Sequence, residues 1–213
     1  TMKRSKQLAH RIDPTWEIPD FDISFWLNRQ YSYCVIIPVI NEGIRIKNLL
    51  QKMYHNNIQS YADIIIVDGG STDGSIDKNL LKKYHVRGLL TMTCSGGLSS
   101  QLRCGYAFAV ENSYDGIVTI DGNDNDDPAT IPSFIKELKN GTDFVQASRF
   151  IDGGSGINTP KLRELAVSLI HAPSLSMASG FKWTDTTQGY RAYNKSIFLD
   201  KRIAPFRNIF NTY

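Results

Sequence analysis

The sequence predicts an α/β domain built on a mostly parallel sheet flanked by helices. Two observations carry that prediction. Between Cys34 and Ala147, short apolar runs of strand length alternate with segments whose apolar residues recur at helical spacing. Four polar or glycine-bearing segments, at Pro38–Glu42, Asp68–Asp73, Ser95–Gly97 and Asp121–Asp127, each fall just behind one of those runs. In a parallel sheet covered by helices, ligands bind at the carboxyl ends of the strands, so these segments are expected to converge on one edge.

Residues 1–32 carry charges, Pro14, Pro19 and the aromatics Trp16, Phe21, Phe25, Trp26 and Tyr31 without clean periodicity. They are expected to form an arm packed on a domain that runs over 33–213. Cys34–Ile37 reads as the first strand, and Ile46, Leu49, Leu50 and Met53 follow at helical spacing. A strand at Asp63–Val67 precedes a helix through Ile76, Leu80, Leu81 and Tyr84. A strand at Val86–Met92 precedes a helix through Leu102, Tyr106 and Val110. The strand Ile117–Ile120 leads to a well-marked helix, with Asp127 as N-cap, Pro128 at the first helical position, Ile131, Phe134, Ile135 and Leu138 inward, and Gly141 past the end. Asp143–Ala147 is the next strand. Tyr213 ends the chain with no turn or polar tail, which leaves open a continuation carrying a membrane anchor.

Composition narrows the function. The chain has 213 residues, 41% hydrophobic and 21% charged, enough for one globular core. Its net charge of +3 is too small to argue for a nucleic-acid partner, and none is expected. No apolar stretch reaches the roughly 18–20 residues that cross a bilayer, and no signal-like segment opens the chain, so a cytoplasmic location is expected. Cys34, Cys94 and Cys104 lie in or beside apolar segments without metal-ligand spacing, and are expected to be buried, reduced and inert. His10, His55, His85 and His171 are scattered, and no Ser-His-Asp pattern supports a hydrolase.

Two constellations carry chemistry. Asp68, directly behind an apolar strand, is placed to accept hydrogen bonds from a nucleobase or ribose, while Ser71 or Asp73 would otherwise simply cap the next helix. From Asp121 to Asp127, four carboxylates and two amides stand within seven residues. That density of like charge at a strand end is unfavourable unless a cation or polar ligand offsets it. Oxygen donors suit Mg²⁺ or Mn²⁺ bridging to a diphosphate. A solvated acidic loop or a structural Ca²⁺ loop is the alternative, although the spacing does not fit an EF-hand.

Together these segments resemble glycosyltransferase family 2. Val35-Ile-Ile-Pro-Val-Ile-Asn-Glu42 matches its opening Pro-x-x-Asn-Glu signature, and Val67-Asp-Gly-Gly-Ser-Thr-Asp-Gly-Ser75 resembles Val-Asp-Asp-Gly-Ser-x-Asp-x-Ser/Thr. Gly97-Leu-Ser-Ser-Gln-Leu-Arg-Cys-Gly105 resembles Gly-Lys-Gly-x-Ala-x-Arg-x-Gly, with Leu98 in the place of the lysine. Within the family, the branch of polyprenyl-phosphate sugar transferases is the most similar: Asp121-Gly-Asn-Asp-Asn-Asp-Asp-Pro128 resembles its Asp-Ala-Asp-Leu-Gln-Asp-Asp/His-Pro motif. Ser148-Arg149 and Asp185-Thr-Thr-Gln-Gly-Tyr-Arg191 match two further segments of that branch.

The resemblance implies a fold of the GT-A type, with a Rossmann-like nucleotide-binding half and an acceptor half. It implies an inverting hexosyltransferase that moves a sugar from a nucleotide-sugar donor to a polyprenyl phosphate. A glycan hydroxyl as acceptor, or a non-catalytic nucleotide-sugar-binding relative, are the alternatives. Pro38, Val39, Asn41, Glu42, Asp68, Gly70, Ser71, Gly97, Arg103, Asp121, Gly122 and Asn123 would bind the donor. Asp121, Asn123 and Asn125 would hold Mg²⁺ or Mn²⁺, although Asn123 replaces a carboxylate. Asp121, Asp126 and Arg149 would be catalytic, and Ser148, Arg149, Arg163 and Arg191 would meet acceptor or phosphate. A lipid acceptor further implies peripheral contact at the cytoplasmic face of a membrane. A nucleotidyltransferase of related fold is disfavoured, because no glycine-rich loop with Arg and Lys stands near the N-terminus.

Overall fold

The computed structural model describes residues 12–148, 150, 172–180, 182, 184–185 and 187–207. The chain divides into two compact units, Thr1–Val145 with Ala192–Tyr213, and Gln146–Arg191. Among the described residues, the strands are β1 (Phe21–Trp26), β2 (Tyr33–Val39), β3 (Asp63–Asp68), β4 (Val86–Met92), β5 (Gly116–Thr119), β6 (Phe144–Gln146) and β7 (Arg191–Asn194). They form one sheet in the order β1-β4-β3-β2-β5-β7-β6. The strands β4, β3, β2 and β5 are mutually parallel, and β1 joins β4 antiparallel. Central parallel strands are covered on both faces, which is why β2 and β3 read as unbroken apolar runs; Cys34–Ile37 and Ile65–Val67 are fully buried.

The helices follow from the same patterning. In α1 (Ile44–His55), Ile46, Leu49, Leu50 and Met53 form the predicted buried stripe. The short α2 (Lys78–Lys83) is capped by Asp77, whose Oδ2 accepts from Leu80 N at 2.9 Å. The capping role considered for Ser71 or Asp73 therefore falls to Asp77. α3 (Leu98–Glu111) crosses β2 and β3, and α4 (Ile131–Lys139) buries Ile131, Phe134, Ile135 and Leu138. Asp127 caps as predicted, its Oδ1 accepting from Ala129 N at 3.0 Å, though the turn that Pro128 opens is a 3-10 turn leading into α4. α5 (Ala172–Ser179) and α6 (Lys195–Leu199) complete the described helices.

Three expectations are corrected. Within the segment expected as an arm packed on the domain, Phe21–Trp26 is instead part of the sheet, as its antiparallel edge strand. Its alternation was hidden by a bulge between Ile23 and Phe25, which breaks the period of two. The face that α3 buries is not the one marked by Leu102, Tyr106 and Val110, which are only half-buried; it carries Gln101, Cys104, Gly105 and Phe108. The reason is contact distance: a Cβ on Gly105 would lie 2.7 Å from Ile36 Cγ2 and 3.0 Å from Val67 Cγ2, so glycine brings the helix directly onto β2 and β3. Finally, Cys94 is exposed, whereas Cys34 and Cys104 are buried. Burial pushes the Cys34 thiol well above its ordinary range and that of Cys104 up to about 12.

A buried polar centre holds the amino ends of the strands. Asp63, 1% exposed, accepts from Gln30 N (2.7 Å), Tyr31 N (3.2 Å) and Tyr114 OH (2.6 Å), and pairs with Arg87 Nε at 3.2 Å. Three segments distant in sequence thereby share one carboxylate, and its charge is met by a cation and three donors.

The close approach at Gly105 makes a signed prediction. In an exposed helix, Gly→Ala stabilises by up to about 1 kcal/mol. Here the added methyl meets the stiff, buried, β-branched Ile36 and Val67, so Gly105→Ala is expected to destabilise by about 1–2 kcal/mol. Chemical denaturation of the two proteins measures it, and a gain in stability would contradict the packing described.

Candidate active site

The carboxyl ends of β2, β3 and β5 carry the polar segments, and backbone hydrogen bonds draw these together. Behind β2, Asn41 adopts a left-handed conformation with φ +51°, which asparagine tolerates better than most residues. Asn41 N donates to Ser71 Oγ at 3.0 Å, and Thr72 N donates to Asn41 Oδ1 at 2.8 Å. The two predicted motifs are thus joined through reciprocal bonds. Asp73 makes a third link, accepting from Gly43 N at 2.9 Å at the start of α1.

Asp68, 6% exposed, ends β3 and turns its carboxylate onto its own loop, where Oδ1 accepts from Gly70 N (3.2 Å) and Ser71 N (2.9 Å). Gly70 at φ +95° makes that turn accessible. Pro38 and Val39 are buried beneath, and Gly122 N donates to Pro38 O at 3.3 Å. A Cβ on Gly122 would lie 2.9 Å from Val39 Cγ2 and 3.0 Å from Pro38 O, which is why the acidic segment starts with a glycine after Asp121. Glu42 stands beside Gly122 and is ion-paired with Arg45 (Oε2 to Nη2, 2.7 Å).

In the acidic segment, Asp121, Asn123 and Asp126 are half-buried and Asn125 is exposed. Asn123 Oδ1 accepts from Asn125 N at 3.1 Å. Asp124, with φ +61°, pairs with Lys52 Nζ at 2.9 Å, so the carboxylate nearest to the missing one in the motif is turned onto a lysine of α1. Among the described residues, no three His, Cys, Asp or Glu side chains gather as a metal cage. The donors expected from the sequence, Asp121 with the amides of Asn123 and Asn125, are all oxygen, with one carboxylate. They fit a hard dication that takes further ligands from a bound diphosphate.

Gly97 opens α3, and its carbonyl accepts from Gln101 N at 3.2 Å. Leu98, in the lysine's position, is 50% exposed. Arg103, 7% exposed, donates from Nη1 to Glu17 O at 2.7 Å and so anchors the N-terminal segment. Sequence reading also missed Gln101, which is 3% exposed and donates from Nε2 to both Val39 O and Val67 O at 2.8 Å. The available signal was a polar residue one turn before Gly105 on the same helix face.

In the second unit, Ser148 Oγ accepts from Thr184 Oγ1 at 2.8 Å and from Phe150 N at 3.2 Å. Asp185, 2% exposed, accepts from Thr187 N at 3.0 Å, and Arg191 Nε donates to Gln188 O at 2.8 Å. Arg149 and Arg163 lie outside the described residues.

The sheet, its flanking helices and its polar edge have the arrangement of a glycosyltransferase domain of the GT-A type. Solved structures share the fold. The glucosyl-3-phosphoglycerate synthase of Mycobacterium tuberculosis, crystallised with Mn²⁺, uridine diphosphate and glucosyl-3-phosphoglycerate, is similar with a TM-score of 0.55 at 18% identity, covering 79% of this chain and 58% of that one. TarS of S. aureus gives 0.54 at 17%, covering 80% and 49%. The chain itself belongs to glycosyl transferase family 2, whose sequence profile matches residues 34–200. It is 34% identical over 134 residues to the dolichol-phosphate mannosyltransferase of Pyrococcus furiosus, covering 62% of this chain and 37% of that protein. It is 28% identical over 161 residues to the undecaprenyl-phosphate mannosyltransferase of Micrococcus luteus, covering 74% and 64%. The chain thus spans less than two thirds of either relative's length.

The geometry at Asp68 separates turn from charge. Asparagine keeps an oxygen that accepts from Gly70 N and Ser71 N, so Asp68→Asn is expected to fold as the native chain does. With Asp68 in the nucleoside-binding role that the family resemblance implies, losing its charge should weaken nucleoside-diphosphate binding roughly tenfold, about 1.4 kcal/mol. Titration calorimetry on both proteins checks this.

Proposed function

We propose that this chain is the catalytic portion of an inverting hexosyltransferase that moves a sugar from a nucleotide-sugar donor to a polyprenyl phosphate. The observation that carries the donor site is the joining of the Asn41 and Asp68 loops through Ser71 and Thr72, with the acidic segment docked on Pro38 beside them. The relatives named for dolichol phosphate and undecaprenyl phosphate support the acceptor class.

Asp68 and Asn41 orient the nucleoside, and the loop from Gly69 to Ser71 lies where its ribose and phosphates run. The donor's diphosphate meets Asp121. There, Asp121, Asn123 and Asn125 would hold Mg²⁺ or Mn²⁺, whose chemistry when bound is to neutralise charge growing on the leaving diphosphate. In the transfer, an acceptor phosphate oxygen attacks the anomeric carbon from the face opposite the diphosphate. The new C–O bond forms as the old one breaks, and its electron pair leaves on the nucleoside diphosphate. A phosphate acceptor is already an anion and needs no general base, whereas a hydroxyl would have to lose its proton to a carboxylate, with Asp126 the candidate. Ser148, Arg149, Arg163 and Arg191 are proposed for the acceptor side, the guanidinium fork suiting phosphate oxygens.

No helix among the described residues is long and apolar enough to cross a membrane. A polyprenyl-phosphate acceptor then implies contact at a membrane surface, which we place on its cytoplasmic face.

Labelled nucleotide hexoses offered with polyprenyl phosphate in vesicles, and separately with soluble glycans, test the acceptor. Label is expected in the lipid fraction; label appearing only in glycan would reject the lipid acceptor. Activity is expected to fall at least tenfold after chelation and to return with Mn²⁺ or Mg²⁺, and an undiminished rate after exhaustive chelation would reject the metal. Asp126→Asn should lower transfer to a hydroxyl acceptor far more than transfer to the lipid phosphate, and a full rate on a hydroxyl acceptor would remove Asp126 as base.

A further inference from the structure

We infer that Gln101 is a positioning residue for the donor site, acting with Gly69 as a coupled pair that sets the ends of β2 and β3. This rests on the donor-site reading above. The Gln101 amide is buried within α3's inward face and donates to two carbonyls at once, Val39 O and Val67 O, each at 2.8 Å. Those carbonyls lie directly before the two loops that are joined through Asn41, Ser71 and Thr72. Val39 O also accepts from Gly69 N at 2.8 Å, so the amide closes a small network at the last rung of the two strands.

Gly69 is part of the same device. Unlike Gly70, its φ lies outside the left-handed region, so backbone conformation does not require glycine here. Space does. A Cβ at position 69 would stand 3.1 Å from Gln101 Nε2, 3.3 Å from Gln101 Cδ and 3.3 Å from Ile40 Cδ1. A side chain at 69 and the amide of Gln101 therefore compete for one volume. Both positions also depart together from the family motifs quoted above, which have aspartate at the first and alanine at the second.

The chemistry makes the amide specific. A carboxylate has the same shape but cannot donate, and would face two carbonyl oxygens in a buried site, forcing the strand ends apart. An alanine would leave both carbonyls without that donor. Since Asn41 and Asp68 are carried on the segments these carbonyls anchor, loss of the donor is expected to loosen their spacing and with it nucleotide binding.

The test is a double-mutant cycle read by calorimetry with nucleoside diphosphate and Mn²⁺, alongside thermal midpoints. Gln101→Glu is expected to weaken binding more than tenfold, Gln101→Ala about five- to tenfold, and Gly69→Ala several-fold because its methyl displaces an intact Gln101. The pair Gly69→Ala with Gln101→Ala is expected to bind better than the product of the single losses predicts. Gly69→Ala keeps every hydrogen-bonding group, so it tests the coupling even if Gln101→Glu fails to fold. If the single variants bind within twofold of native, with only the midpoint lowered, Gln101 is structural and the inference is overturned. Strictly additive losses would overturn the coupling. If the native chain binds no nucleoside diphosphate at all, the donor-site reading falls and takes this inference with it.

Discussion

The contact on which the rest depends is the seating of α3 on the two central strands at Gly105. A helix normally stands off a sheet by the side chains between them, and a glycine at the crossing removes that spacer. Ile36 and Val67, which receive the helix there, are the inner residues of β2 and β3. With the helix this close, Gln101 one turn earlier reaches the strand ends with its amide rather than its tip falling short. Arg103, two residues on, extends to the carbonyl of Glu17 and holds the N-terminal segment. Core packing, the strand ends under the polar loops and the docking of the N-terminal segment therefore share one geometric cause.

The polar edge is organised more by backbone than by side chain. Asn41, Ser71, Thr72 and Asp73 each use a main-chain amide or a short side chain to join neighbouring loops, and Asp68 is spent in part on its own turn. Short polar groups lose little rotamer entropy when ordered, so such an edge is preorganised for a ligand at small expense. The acidic segment is treated differently. Within it Asp124 is ion-paired with Lys52 and Asp127 caps the turn that follows, so these two carboxylates are turned to separate partners.

The opposite end of the strands shows how the scaffold bears this load. Asp63 gathers the link before β2, the start of β4 through Arg87 and the loop after α3 through Tyr114. Trp16 stacks on Phe206 with centroids 3.8 Å apart, closing the core beside Phe198 and joining the two ends of the described chain. The carboxyl ends of the strands carry loops that are set by their own hydrogen bonds.

Local pattern was enough for the parallel strands, for α1, for the Asp127 cap and for the edge on which the ligand loops gather, since each depends on neighbours a few residues away: burial on both faces gives continuous apolar runs, helical periodicity gives a stripe, and a strand's end is followed by its loop. The family motifs that contain Pro38, Asn41, Asp68 and Asp121 follow those strand ends for the same reason. Tertiary structure alone decided what lies across the fold. It turned Arg103 toward Glu17, brought Gln101 to the carbonyls of Val39 and Val67, paired Asp124 with Lys52, made Phe21–Trp26 an edge strand and left Cys94 exposed. None of these partners is near in sequence, and periodicity records which face of a segment is inward without recording what waits there. Only the approach of one particular helix to two particular strands, at a glycine, settles which polar groups can meet.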